Sequence, residues 1–360
     1  MNRRFGIITI ALLALVPLVA TGADDPTDTE TAAKVRLKVG DPSPPLKVGR
    51  WLKGGPITAL EPGKVYVIEP WASWCAPCVA AMPHLTKLQA RYKDKGVVVI
   101  GLNVLERDAA AAEPFVRKMG DRMNYAVAAD DVSAGPPGAL VETWLLAAGR
   151  KGLPWTILVD RRGRVAWMGF PTMVDRPLAA LAEDRFDAAE QAKFEAQLDG
   201  LFDEYAAASK AKDDAKSLAV LDRLIVHNPG MAPQYATTRL AVLLRTGDYP
   251  AANAQARALV GDNAGDDPTL QATIASILLN APDPAKIDTT VAVTLARNAY
   301  DLNDKDAWAY AALLARAHAA NREYAKAVKF QTQALAHVPE NAREREEANL
   351  ADYKQKVAGN

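Results

Sequence analysis

Val65-Tyr-Val-Ile-Glu-Pro-Trp-Ala-Ser-Trp-Cys-Ala-Pro-Cys78 is the stretch that decides the fold. It runs from a β-rich apolar segment, suited to a buried strand, into the only two cysteines of the chain. Residues 79–93 then place Met82, Leu85 and Leu88 on one helical face. A strand entering a helix at a Cys-x-x-Cys motif puts Cys75 at the helix N-terminus. There the amide groups and the helix dipole favour a thiolate. Cys78 lies one turn further in and reads as the less accessible thiol, the one that resolves a mixed disulfide. Glu69 ends the apolar strand, so desolvation should raise its pKa toward neutrality. That suits a group taking the proton from Cys78.

Other chemistries for the cysteine pair fail on neighbouring residues. Haem attachment needs histidine after the second cysteine, and Val79 stands there. Structural zinc needs two more ligands, whereas His84, His227, His318 and His337 are scattered. A disulfide closing so small a loop stabilises by only about 2 kcal/mol, a weak reason to keep one in a chain able to build large cores. A redox dithiol needing no metal or organic cofactor is the expectation.

Downstream, Val97–Leu102 reads as a second buried strand, followed by a helix over 108–119 and a short strand over 125–128. Residues 131–138 form a loop, 139–148 a helix, and Thr156–Val159 and Val165–Met168 a hairpin across Asp160-Arg-Arg-Gly163. A helix near 175–184 completes the section. The Pro- and Gly-rich stretch 36–60 predicts edge strands or a hairpin, because proline is excluded from central strands. Gly152-Leu-Pro-Trp-Thr156 precedes a strand, and a cis-proline at Pro154 would present backbone to an extended substrate peptide.

Taken together, Glu69–Cys78, Pro83 and Gly152-Leu-Pro154 resemble the thioredoxin-like superfamily. The helix and strand inserted between 105 and 150 look like its exported TlpA/ResA-like branch. The resemblance covers residues 36–185. It implies a thioredoxin fold with Cys75 as nucleophile, Cys78 as resolving thiol, Pro154 as cis-proline and Pro83 as a helix-kinking proline. Many members of that branch carry glutamate three residues after the second cysteine, where this chain has Ala81. Glu69 instead occupies the place of the buried aspartate of thioredoxins proper. Peroxiredoxin-like relatives use Pro-x-x-x-Thr/Ser-x-x-Cys, but here Ile68 and Ala72 fill the first and fifth positions, so peroxide is not the expected substrate. Trp71, Trp74 and Trp155 are expected to pack around the dithiol, with no role for Ser73 or His84.

The rest of the 360 residues sets the context. Forty-three basic and forty-three acidic side chains balance, and 49% of residues are apolar. No global field points to nucleic acid. Arg3 and Arg4, the apolar run Phe5–Ala20 and the small residues after it predict a signal peptide over 1–23, then a flexible leader over 24–35. Export to the periplasm follows, with an uncleaved N-terminal membrane anchor as the other reading. From 186 to 360 the chain is alanine-rich and helical, with turns at Asn228-Pro229, Asp267-Pro268, Asn303-Asp304 and Pro339. Leu314-Ala315, Tyr324, Ala327, Ala334 and Pro339 fall where a tetratricopeptide helix pair packs, and Gly247-Asp-Tyr249 with Ala252 repeats its turn. An irregular helical bundle is the competing reading.

The expected architecture is thus an α/β thioredoxin-like fold followed by an all-α tetratricopeptide-like domain. The expected function is an exported thiol–disulfide oxidoreductase that reduces protein or peptide disulfides, supplied by a thiol electron donor. The alternative is an adaptor whose helical repeats dock a protein partner, with the thioredoxin domain as scaffold or redox-sensitive clamp.

Overall fold

The computed structural model describes residues 37–260, 267–302 and 307–359. The signal peptide and leader expected over 1–35, and the Asn303-Asp304 turn, lie outside the described residues. Contacts divide the chain into two compact units, meeting between Gln197 and Leu198.

The first unit is built on a six-stranded sheet of β1 (Val48–Lys53), β2 (Val65–Trp71), β3 (Val97–Asn103), β4 (Ala126–Asp130), β5 (Thr156–Val159) and β6 (Val165–Gly169), in the order β1-β4-β3-β2-β5-β6. β2, β3 and β4 are parallel, while β1, β5 and β6 each run antiparallel to their neighbours. All seven residues of β2 are buried, as its uninterrupted apolar run requires of a central strand. Among the described residues, the stretch 36–60 contributes one edge strand, β1, and no hairpin, because its only long pairing is with β4.

Alternation along β2 sorts the two cores. Val65, Val67 and Trp71 share one core with Cys75, Cys78, Met82, Leu85 and Leu88 of α1 (Ala76–Tyr92) and with Val116 and Met119 of α2 (Ala112–Met119). Leu178 and Leu181 of α3 (Asp175–Ala182) close that face. Tyr66 and Ile68 point the other way, onto Leu140, Val141, Trp144 and Leu145. The helix expected over 139–148 is there, but it widens into a π turn over Val141–Leu145 and tightens over Leu146–Ala148. Asp130 caps its start by accepting from the Leu140 amide at 2.7 Å.

Pro83 sits inside α1 and has no N–H to give the Val79 carbonyl, the defect that the resemblance implied. α4 (Ala188–Lys210) crosses the division between the units. Its first turns belong to the α/β unit: the Trp167 indole donates to Glu195 at 2.5 Å, and Arg176 lies over the Phe194 ring at 4.3 Å.

Beyond it the described chain is helical: α5 (Asp214–His227), α6 (Ala232–Thr246), α7 (Tyr249–Ala258), α8 (Pro268–Leu279), α9 (Thr289–Asp301), α10 (Trp308–Ala320), α11 (Tyr324–Leu335) and α12 (Glu340–Ala358). Gly247 takes the left-handed conformation that ends α6, and Asp248 caps α7 through the Ala251 amide. Asp267 caps α8 by accepting from the amides of Thr269 and Leu270. No described helix is long and apolar enough to cross a membrane.

Candidate functional site

The parallel strands bring one set of loops to one edge of the sheet. β2 ends at Trp71 opposite the end of β3 at Asn103, so the Cys75 loop and the 104–108 loop leave side by side. β5 begins at Thr156 on the other flank of β2, which delivers the segment before it to the same edge. In α/β sheets this carboxyl edge is where chemistry is housed.

Cys75 and Cys78 are joined in a disulfide with S–S 2.09 Å and Cα atoms 5.3 Å apart. Cys75 is the N-cap of α1: its Sγ accepts from the Cys78 amide at 3.3 Å, the position a serine or aspartate oxygen takes in other helices. A thiolate there meets the positive end of the helix dipole. The sequence makes Cys75 the more accessible thiol, but in the disulfide form it is only 3% exposed and Cys78 1%. The α1 face and the 71–75 loop enclose both sulfurs. Trp71 is fully buried and lies tilted against Phe115 at 5.3 Å, while Trp74 is 42% exposed and forms part of the rim rather than the lining. Trp155 packs with the opposite core, edge-on to Phe170 at 5.6 Å and under Arg150 at 3.5 Å.

Glu69 is 1% exposed. Alternation turns its side chain toward the face that carries the cysteines. Thr156 Oγ1 donates to its Oε2, while Oε1 has no partner. Burial pushes its pKa up to about 8, against the pull of the Thr156 hydrogen bond. The carboxyl thus sits within the range where a proton can be taken or returned near neutrality. Pro154 follows a cis peptide bond from Leu153, whose side chain packs against the cysteine-bearing core.

Glu106 is the residue that sequence reading missed. Its Oε1 accepts from the Ser73 amide and from Asn103 Nδ2 at 2.8 Å, and its Oε2 accepts from Ser73 Oγ at 2.9 Å. Beside it the Trp74 indole donates to the Leu105 carbonyl at 2.9 Å, and Arg107 lies 5.3 Å from the Trp74 ring. The loop carrying Cys75 is therefore held by the loop after β3. Ser73, read as idle, is the handle. The available signal was a carboxylate three residues past the end of a buried parallel strand. Glu106→Ala should lower unfolding free energy by about 1–3 kcal/mol, because Ser73 and Asn103 lose a charged acceptor. Glu106→Gln should retain most of it, since an amide can accept from the Ser73 N–H and donate to its hydroxyl. Equal denaturation midpoints for wild type and the alanine variant would contradict this.

The chain is similar to several known proteins. The Redoxin family matches residues 38–183. Protein FixW of Rhizobium leguminosarum is 30% identical over 154 residues, which is 42% of this chain and 69% of FixW. Thiol-disulfide oxidoreductase ResA of Bacillus thuringiensis (strain Al Hakam) is 31% identical over 135 residues, covering 37% of this chain and 70% of ResA. Among solved structures, a thiol-disulfide isomerase from Corynebacterium glutamicum is similar with a TM-score of 0.33 and 26% identity, covering 39% of this chain and 95% of that one.

Proposed function

This chain belongs to the TlpA/ResA-like thiol–disulfide oxidoreductases, and from that premise we propose that it is an exported reductase of protein disulfides. The observation that carries the reading is a disulfide whose first sulfur caps a helix, set on the sheet face toward which a buried carboxyl with a pKa of about 8 points.

In the working cycle the reduced protein meets a substrate disulfide. The Cys75 thiolate attacks one substrate sulfur, the substrate S–S bond breaks, and one substrate thiolate leaves. Cys78 then gives its proton to Glu69 and attacks Cys75 Sγ. That step breaks the mixed disulfide, frees the second substrate thiol and leaves the oxidised Cys75–Cys78 pair. Two electrons have passed from the dithiol to the substrate, and a thiol donor restores them. Pro154 and its neighbouring backbone hold the substrate strand beside Cys75. The raised Glu69 pKa supports a proton-accepting role, and the helix-capping sulfur supports Cys75 as the attacking group.

The helical region serves as a docking surface of stacked, tetratricopeptide-like pairs. Support comes from the Gly247-Asp-Tyr249 turn between α6 and α7 and from α6, α8 and α10 packing on one another in order. Export rests on the pattern of residues 1–23.

Insulin-type disulfide reduction with a thiol donor tests the reductase reading. Wild-type protein should accelerate it, and Cys75→Ser should return the rate to that of the donor alone. A rate indistinguishable between the two would leave the adaptor reading in place.

A further inference from the structure

Glu69 is not the only buried group on its face with an unused polar atom. Its register partner on β3 is Gly101, which leaves that face of the sheet bare. Two rings lie over the gap. A Cβ on Gly101 would stand 3.0 Å from Tyr125 Cε2 and 3.1 Å from Trp71 Nε1, closer than ordinary packing. The glycine is what lets both rings reach the sheet beside the carboxyl.

Three buried polar atoms in this patch have no hydrogen-bond partner: Glu69 Oε1, the Tyr125 hydroxyl and Trp71 Nε1. A native interior rarely leaves so many unpaired. The groups also feel each other, because burial and the Glu69 charge both hold the Tyr125 phenol well above its ordinary range. Thr156 on β5 supplies the hydrogen bond to Oε2, and Cys75, Cys78 and Tyr92 are the other titratable side chains of this core.

We propose that Tyr125 is a positioning residue for Glu69, its hydroxyl donating to Oε1, directly or through one ordered water, when the carboxyl is ionised. The proposal rests on the reading of Glu69 as proton acceptor. Thr156 and Tyr125 then divide the carboxylate, one donor to each oxygen, so that the anion formed when Cys78 gives up its proton is not left bare in an apolar core. The phenol itself stays protonated throughout.

The test uses oxidised full-length protein, in which the cysteines do not titrate. The Glu69 carboxyl is followed against pH by carbon-13 NMR or by its infrared carbonyl band. Wild type should titrate near pH 8. Tyr125→Phe removes one donor from the anion, so its proton affinity should rise about three- to tenfold, moving the midpoint to higher pH. Reciprocally, Glu69→Gln should let the Tyr125 phenol ionise at lower pH, read by phenolate absorbance. An unmoved Glu69 midpoint in Tyr125→Phe overturns the proposal. A wild-type midpoint in the ordinary carboxyl range would instead sink the proton-acceptor reading on which it stands.

Discussion

Glu69→Gln should make the protein more stable at alkaline pH and about a hundredfold slower at reducing a model disulfide near neutrality, the lower end of the range for a positioned acid–base group. The folded-state pKa of about 8 lies above the usual 4.5. Below pH 4.5 folded and unfolded chains both carry the proton. Between 4.5 and 8 the folded chain keeps it and the unfolded chain releases it, so folding stability declines as pH rises through this window. With each pKa unit equivalent to about 1.4 kcal/mol, the decline amounts to a few kcal/mol. Glutamine cannot ionise, so the variant should lose this part of the pH dependence. Denaturation curves across the window measure it, and parallel stability profiles for the two proteins would refute it. The kinetic half is separable. If the variant flattens the stability profile yet reduces disulfides at the wild-type rate, Glu69 titrates without serving catalysis.

Cys78→Ser should turn the catalyst into a trap. Cys75 still attacks and forms a mixed disulfide, but a serine hydroxyl cannot displace the substrate from Cys75 Sγ. Resolution then waits for an external thiol. A well-oriented neighbouring group can reach an effective concentration of about 10⁵ M, so turnover should fall more than a thousandfold at millimolar thiol. The covalent complex should survive a non-reducing gel and disappear with reductant. Cys75→Ser should give neither turnover nor complex. The burial of the two sulfurs differs too little to assign the order of attack; the assignment rests on Cys75 capping the helix. A complex formed by Cys75→Ser and absent from Cys78→Ser would reverse the roles.

The legible parts of this site are local. The strand–dithiol–helix run, Glu69 in the strand that leads into it and Pro154 before β5 can each be read from a short window, because one element and its immediate flank set them. Glu106 and Tyr125 cannot. Glu106 matters only because β3 ends beside β2, and Tyr125 only because Gly101 pairs with Glu69 in the parallel register. The same applies to the stretch 36–60, where the proline spacing permits a hairpin. The partner of β1 is instead β4, some eighty residues later in the sequence. Trp74 was misplaced for a related reason. Apolarity argues for burial, but the carbonyl of Leu105 and the guanidinium of Arg107 hold its ring at the rim.

The reach of α4 into the α/β unit bears on how this chain can be divided. The Redoxin match stops at residue 183, before that helix begins. A fragment cut there would strip the Trp167 indole of its acceptor and remove the Phe194 ring from beneath Arg176. The α/β unit therefore extends past the homologous module, and its last segment is the start of α4. An insertion or swap intended to preserve both halves has to spare residues 188–197, where one continuous helix is shared property.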